Sequence, residues 1–328
     1  MASRSAARRC AFATQSVLLV GCGPMAVAYA HALIDLDAEI TVAGRGEESA
    51  ADFARATKLR PMTGGIERVL DRLENPPAVG IVAVPVSGLA TAAKCLIEAG
   101  VRRILVEKPG ALTRTELEEL CAASERIGST VLIAYNRRFY ESVRQARRLI
   151  AEDGGVTSFT FDFTELSEKV GSSSQPQEVK ERWFFANSTH VVDLAFFLGG
   201  EPVELDALVE GSLEWHPVAR FAGSGRTDLG ALFSYHADWS GPGRWGVEVV
   251  TRNQRLVLRP LEELRAQRRG EWDAALIESR TDIDTKFKPG IRAQVEAFLS
   301  KDDEDFLNVF GQIRRFDEVY EPMIKGTS

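Results

Sequence analysis

The chain has 328 residues, 45% of them hydrophobic and 27% charged, and a net charge of −7. That is about two domains' worth of chain at roughly 150 residues each, with globular rather than disordered, collagenous or coiled-coil composition. The acidic balance argues against a general nucleic-acid binder, which needs a basic face to displace counterions. No apolar run approaches the ~18 residues of a membrane helix; the longest, Ala78 to Val86, contains Gly80 and Pro85.

Residues 1–15 form a Ser/Ala-rich leader carrying Arg4, Arg8 and Arg9, with no acidic residue before Asp35. It reads as a disordered tail, faintly like a transit peptide and without the long apolar core of a secretory signal. Cys10, Cys22, Cys95 and Cys121 have no close spacing. They indicate neither a metal site nor a disulfide framework, and a reducing cytoplasm fits them best.

From Ser16 a βα rhythm begins. Val17 to Val20 is a short, continuously apolar run, as in a strand buried on both faces. A turn, Gly21-Cys22-Gly23-Pro24-Met25-Ala26, leads into a helix with Ala26, Tyr29, Ala30 and Leu33 on one face. Further strands are expected at Glu39–Ala43, Gly80–Val84, Arg103–Val106 and Thr130–Ala134, with helices near Thr91–Ala99 and from Thr113 to Gly128. Thr113 and Glu116 have capping-box spacing. Alternating strands and helices imply a parallel, doubly wound sheet over residues 16–135.

After about residue 150 the period changes to two. Phe159, Phe161 and Phe163 alternate with polar residues, as do Trp245, Val247 and Val249, and then Leu256 and Leu258. Leu205–Leu213 and Leu229–Trp239 are further strand candidates, and Gly171 to Gln177 reads as a mobile surface loop. Strands of this kind form sheets with one covered face. Residues 136–328 are therefore expected to be an α+β domain with a large, open, mostly antiparallel sheet. Such an exposed face favours a homodimer or homotetramer.

The G-x-G-x-x-A turn lies between a strand and a helix, the context that dinucleotide binding requires. Gly21 permits the tight turn, Gly23 lets the backbone approach a pyrophosphate, and Ala26 allows close helix–strand packing. Cofactor choice is read after the second strand. An acidic residue there would bind the ribose hydroxyls of NAD. Here stands Gly44-Arg45-Gly46. The guanidinium fork of Arg45 suits a 2′-phosphate, which favours NADP(H) over NAD. Alternatively, Arg45 is an ordinary loop charge stacking on adenine.

Glu107-Lys108-Pro109 follows the buried strand Arg103–Val106, at the carboxyl edge where ligands of such sheets bind. A lysine there can hydrogen-bond a substrate hydroxyl or carbonyl. With Gly21 to Ala26, Glu107-Lys108-Pro109, Tyr135-Asn136-Arg137-Arg138-Phe139 and His190-Val191-Val192-Asp193 in this order and spacing, the chain resembles the Gfo/Idh/MocA family, from about residue 16 to about residue 300.

The resemblance implies a Rossmann domain followed by an open-sheet domain. It implies NAD(P)-linked oxidation or reduction of sugars, inositols or related cyclic alcohols, with Lys108 and His190 as the catalytic pair. Histidine suits the proton transfer because its pKa lies near working pH. The expected cofactor contacts are Gly21, Cys22, Gly23, Pro24, Met25, Arg45, Pro85, Glu107 and Lys108.

Tyr135 is expected beside nicotinamide or substrate and is counted with the catalytic residues, with simple packing as its alternative. Asn136, Arg137, Asn187, Asp193 and Tyr235 are expected at the substrate, together with Lys108 and His190. A buried structural carboxylate is the other reading of Asp193, and a sheet used for subunit contact the other reading of Tyr235. An Asp found in inositol-dehydrogenase-like members four residues before the histidine is replaced here by Ala186, which makes inositol itself doubtful. The substrate is therefore left as a sugar, a nucleotide-linked sugar or a cyclic polyol. Two other activities fit the scaffold: glycoside cleavage with internal redox on NAD, and non-catalytic regulation.

Overall fold

The computed structural model describes residues 15–75 and 77–327, so most of the leader lies outside the described residues. The chain divides into two compact units, residues 15–136 with Ile283–Ile313, and Arg137–Asp282 with residues 314–327.

The first unit is built on β1 (Ser16–Val20), α1 (Pro24–Asp35), β2 (Glu39–Ala43), α2 (Glu47–Thr57), β3 (Val79–Val82), α3 (Leu89–Glu98), β4 (Arg103–Glu107), α4 (Arg114–Ile127) and β5 (Thr130–Ala134). These five strands are parallel, in the order β5-β4-β3-β1-β2. Val17, Leu18, Leu19, Ile104, Leu105 and Val106 are all completely buried, which is why both strands carry an unbroken apolar stretch. The α4 capping box forms as its sequence requires: Thr113 Oγ1 accepts from the Glu116 N–H at 3.2 Å, and Glu116 returns an acceptor to the Thr113 N–H at 2.9 Å. Strand order reverses about β1, whose neighbours are β2 and β3. A doubly wound sheet binds its ligand at such a switch point, outside the carboxyl ends of the strands.

The segment Ile283–Ile313 returns to this unit, although the sequence division placed it with residues 136–328. Its helix, Ile291–Ser300, buries Ile291, Val295, Phe298 and Leu299 in the same core as Tyr29 and Leu33. Leu307–Asn308 then adds to the edge of β5 as a short antiparallel strand. Arg103 locks the return: its guanidinium lies 4.9 Å from the Phe298 ring, donates to the Phe298 carbonyl at 3.1 Å and pairs with Asp303. Amphipathic periodicity reports that a helix has a buried face, not which core receives it.

The second unit contributes α5 (Glu141–Glu152), β6 (Ser158–Asp162), α6 (Thr189–Gly199), β7 (Pro202–Glu210), β8 (Arg220–Thr227), β9 (Leu232–Asp238), β10 (Gly246–Val250), β11 (Gln254–Leu258), β12 (Leu264–Arg268) and β13 (Ala275–Ile277). They make one eight-stranded sheet, β13-β12-β11-β10-β6-β9-β8-β7, antiparallel except where β6 meets β9. One face is an aromatic layer under α6. Phe196 meets Phe159 and Phe233 edge-on, with centroids 5.9 and 5.1 Å away. The opposite face is open. It exposes Leu208 and Leu232 among cross-strand ion pairs such as Glu204–Arg226 and Glu210–Arg220.

His216 lies in this unit against Trp239, with ring centroids 4.6 Å apart, and burial pushes its pKa down to about 4. The unfolded chain binds that proton near pH 6.5. The neutral ring therefore contributes its full stability above pH 6.5 and loses it as pH falls towards 4. Replacing His216 by Phe is expected to flatten the loss of urea-unfolding free energy over that window by on the order of 2–3 kcal/mol. An identical pH slope in both proteins would contradict the assignment.

Candidate functional site

At the end of β1, Gly21 has φ +125°, and a Cβ there would lie 2.2 Å from the Ala83 carbonyl oxygen just beyond β3. Only glycine fits. The Gly21 N–H donates to the Ala43 carbonyl at 2.9 Å and the Ala83 N–H to the Val20 carbonyl at 2.8 Å, so β1, β2 and β3 end together. Gly23 is the extended N-cap of α1, followed by Pro24. No side chain caps α1 and no acidic residue lies in its first turn. Its N–H groups and positive dipole end are therefore presented to an anion. A Cβ on Gly23 would meet nothing within 4 Å. Its glycine answers no packing need of the protein, and it leaves the backbone bare where a pyrophosphate would lie.

The other expected cofactor residues sit along the same carboxyl edge. Arg45 is exposed in the turn between β2 and α2, and among the described residues its guanidinium has no hydrogen-bond or ion-pair partner. Pro85 follows β3, Glu107 ends β4, and half-buried Lys108 comes next. Glu107 is not simply turned outward: it accepts a 2.7 Å hydrogen bond from the Tyr29 hydroxyl of α1. Burial first, and then the Glu107 charge, push the Tyr29 pKa well up, so Tyr29 stays a donor. Tyr135 is fully enclosed, and its hydroxyl shares a hydrogen bond with Gln312, whose amide also donates to the Pro109 carbonyl at 2.9 Å. Asn136 likewise spends its amide on the Pro289 carbonyl at 3.0 Å.

In the second unit His190 stands in the first turn of α6 and is 7% exposed. The helix is entered through a π turn, Phe184–Ser188, a rare form often found at functional sites. The His190 ring lies 6.1 Å from that of Trp245, and the Arg137 guanidinium covers Trp245 at 4.8 Å. Arg137, Trp245, Thr164, Glu165 and Arg244 line a cavity of about 490 Å³ with Leu166, Leu261 and other residues of this unit, within the roughly 300–1,000 Å³ of small-molecule sites. Asn187 donates to Glu165 at 3.2 Å.

Two expected substrate contacts are engaged by other side chains of the second unit. Asp193 is 1% exposed, and both its oxygens are engaged, by Arg138 at 2.6 and 2.8 Å and by Arg315 at 2.5 Å. Burial works against the Arg315 charge, but Asp193, Tyr320 and Glu201 overcome it and raise its pKa. Asp193 is thus the structural carboxylate, since a charge so deep is tolerated only when paired. Tyr235 points into the aromatic layer, its ring 5.2 Å from Phe161 and 5.9 Å from Phe163, and burial raises its pKa. It packs the covered face instead of meeting a sugar or a subunit. Glu165 was missed, because a lone carboxylate after an alternating strand carries no motif. Among the described residues, no three His, Cys, Asp or Glu side chains are grouped to hold a metal ion.

The glycine turn at a switch point defines an NAD(P)-binding Rossmann protein. The profile of the Gfo/Idh/MocA oxidoreductase family, NAD-binding Rossmann fold, matches residues 15–135 of this chain. Similar curated proteins are D-apiose dehydrogenase from Paraburkholderia graminis, 27% identical over 196 residues, and the uncharacterized oxidoreductase YdgJ from Escherichia coli, 26% identical over 147 residues. These matches cover 58% and 40% of this chain and about half or less, 51% and 40%, of the relatives' own lengths. Levoglucosan dehydrogenase, solved with NADH and levoglucosan, shares the fold with a TM-score of 0.74 at 19% identity, over 95% of this chain and 96% of the other.

The two glycines are expected to fail differently. Gly23→Ala retains thermal stability and weakens cofactor binding by on the order of tenfold, as a methyl intrudes on the anion cradle. Gly21→Ala lowers both stability and binding, because its Cβ collides with Ala83. Thermal unfolding and fluorescence titration of the two variants check this. Equal loss of stability in both would contradict it.

Proposed function

We propose that the protein is an NAD(P)-dependent oxidoreductase acting on a secondary alcohol or ketone of a sugar, nucleotide-linked sugar or cyclic polyol, with Lys108 and His190 as its catalytic pair. The observation that carries this reading is the bare Gly23 backbone at an unneutralised helix N-terminus, on the same sheet edge as Lys108. The similarity to D-apiose dehydrogenase supports a carbohydrate substrate.

When bound, the nicotinamide accepts or supplies the hydride. Gly21, Cys22, Gly23, Pro24 and Met25 hold the pyrophosphate, with Pro85 and Glu107 further along the edge. Lys108 donates a hydrogen bond to the substrate oxygen and polarises it. His190 takes the hydroxyl proton during oxidation and returns it during reduction. Arg137, which lies over Trp245, and Asn187, which is bonded to Glu165, orient the substrate ring. Arg45 pairs with a 2′-phosphate through its guanidinium fork and selects NADP(H) over NAD.

A second copy of the chain covers the open sheet face, in a homodimer or homotetramer, which the exposure of Leu208 and Leu232 supports. A cytoplasmic location is supported by the free thiols of Cys22, Cys95 and Cys121. No described helix is long and apolar enough to cross a membrane.

The test begins with fluorescence titration of NADPH and NADH. NADPH is expected to bind on the order of tenfold more tightly, the value of one charge-assisted hydrogen-bond pair, and Arg45→Ala to abolish the difference. Equal or tighter NADH binding contradicts the role of Arg45. Turnover is then followed with sugars, inositols and nucleotide sugars. His190→Asn is expected to lower kcat by on the order of 10²–10⁴-fold with cofactor affinity unchanged, and Lys108→Met to lower kcat severely. Full activity in either variant contradicts the pair.

A further inference from the structure

Glu165 is a buried carboxylate of the second unit to which the proposed chemistry gives no role. Glu165 is 6% exposed and lies on the wall of the 490 Å³ cavity, beyond the end of β6. Its Oε1 accepts from Ser188 Oγ at 2.6 Å and from Asn187 Nδ2 at 3.2 Å, while its Oε2 is 3.4 Å from the same amide nitrogen. Both donors belong to the π turn Phe184–Ser188, which delivers the chain into α6 two residues before His190.

A π turn holds one residue more than an α turn, so it re-aims the side chains that follow it, and it persists only where contacts compensate. The apolar compensation is visible in Phe184, edge-on to Phe163 at 5.3 Å, and Phe185, edge-on to Phe316 at 4.9 Å. The polar compensation comes from Glu165. The Glu165 oxygens accept here, so Asn187 turns its NH2 group towards them.

We propose that Glu165 is a positioning residue whose carboxylate holds the π turn through Asn187 and Ser188 and thereby sets the His190 ring beside Trp245. This rests on the reading of His190 as the proton-transfer residue. Glu165 itself exchanges no proton with the substrate. It acts through the geometry of two other side chains.

The test uses the full chain and two readouts. The first is the imidazole region of a long-range ¹H–¹⁵N spectrum, with His190→Asn identifying the His190 signals and His31 and His216 serving as internal references. Glu165→Ala is expected to displace the His190 signals and leave the references in place. The second is turnover with NADPH and the sugar panel. Here Glu165→Ala is expected to lower kcat on the order of 10- to 100-fold, as for a misplaced catalytic group, with cofactor affinity unchanged.

Asn187→Asp sets two carboxylates against each other and is expected to be worse than Glu165→Gln. The double variant E165Q/N187D restores a donor–acceptor pair and is expected to recover most of the loss. Unmoved His190 signals in Glu165→Ala, or a double variant no better than Asn187→Asp, overturn the proposal. If the wild-type chain turns over no member of the panel, the carbohydrate reading fails, and the spectrum still decides the positioning role.

Discussion

A Cβ at position 21 would stand 2.2 Å from the Ala83 carbonyl, and the architecture of the first unit follows from the absence of that carbon. With glycine there, the ends of β1 and β3 close on each other and the chain turns at once into α1. The first N–H groups of that helix then emerge over the point where strand order reverses. A side chain at this position would push β1 away from β3 and carry α1 with it. The anion cradle depends on this backbone contact, and Arg45 after β2 and Lys108 after β4 lie on the same sheet edge. Gly23 is a glycine for a different reason: its neighbourhood is open, so its bareness answers to a ligand.

Buried charge is the second constraint. Three carboxylates lie in the interior near the expected chemistry, and each is held by donors from elsewhere in its own unit. Glu107 is met by Tyr29, Asp193 by Arg138 and Arg315, and Glu165 by Asn187 and Ser188. Removing one partner of such a group leaves a charge that the interior cannot solvate, which is far more disruptive than losing a surface pair. These contacts therefore act as fixed points. Tyr29 ties α1 to the end of β4, Arg315 ties the last segment of the chain to α6, and Glu165 ties β6 to the turn that carries His190.

Local rules were legible in the sequence because they are short-range. The buried strands read as continuous apolar runs, the second sheet as period-two alternation, and the α4 N-terminus as Thr113 and Glu116 three residues apart. The glycine turn was readable in its position between a strand and a helix. What could not be read depends on distant partners. The helix Ile291–Ser300 shows its apolar face in the sequence, but its burial against Leu33 in the first unit is a tertiary choice. Asp193 sits one helical turn from His190 and looks like a companion to it. Arg315, more than a hundred residues away in sequence, claims it instead. Tyr235 and His236 are neighbours in sequence, yet strand pleating sends them to opposite faces, and of the two only His236 is exposed. Glu165 has no sequence signature, since its meaning lies wholly in the π turn beside it.

Site and fold together describe a Rossmann unit whose glycine turn is shaped for a dinucleotide, joined in sequence to an open-sheet unit that carries His190 and a cavity lined by Arg137, Glu165 and Trp245. A crystal structure of the chain grown with NADPH tests this most directly. The account predicts the pyrophosphate against the Gly23 backbone at the N-terminus of α1, with the 2′-phosphate in contact with Arg45. A dinucleotide bound anywhere else, or no binding with the turn intact, would contradict it.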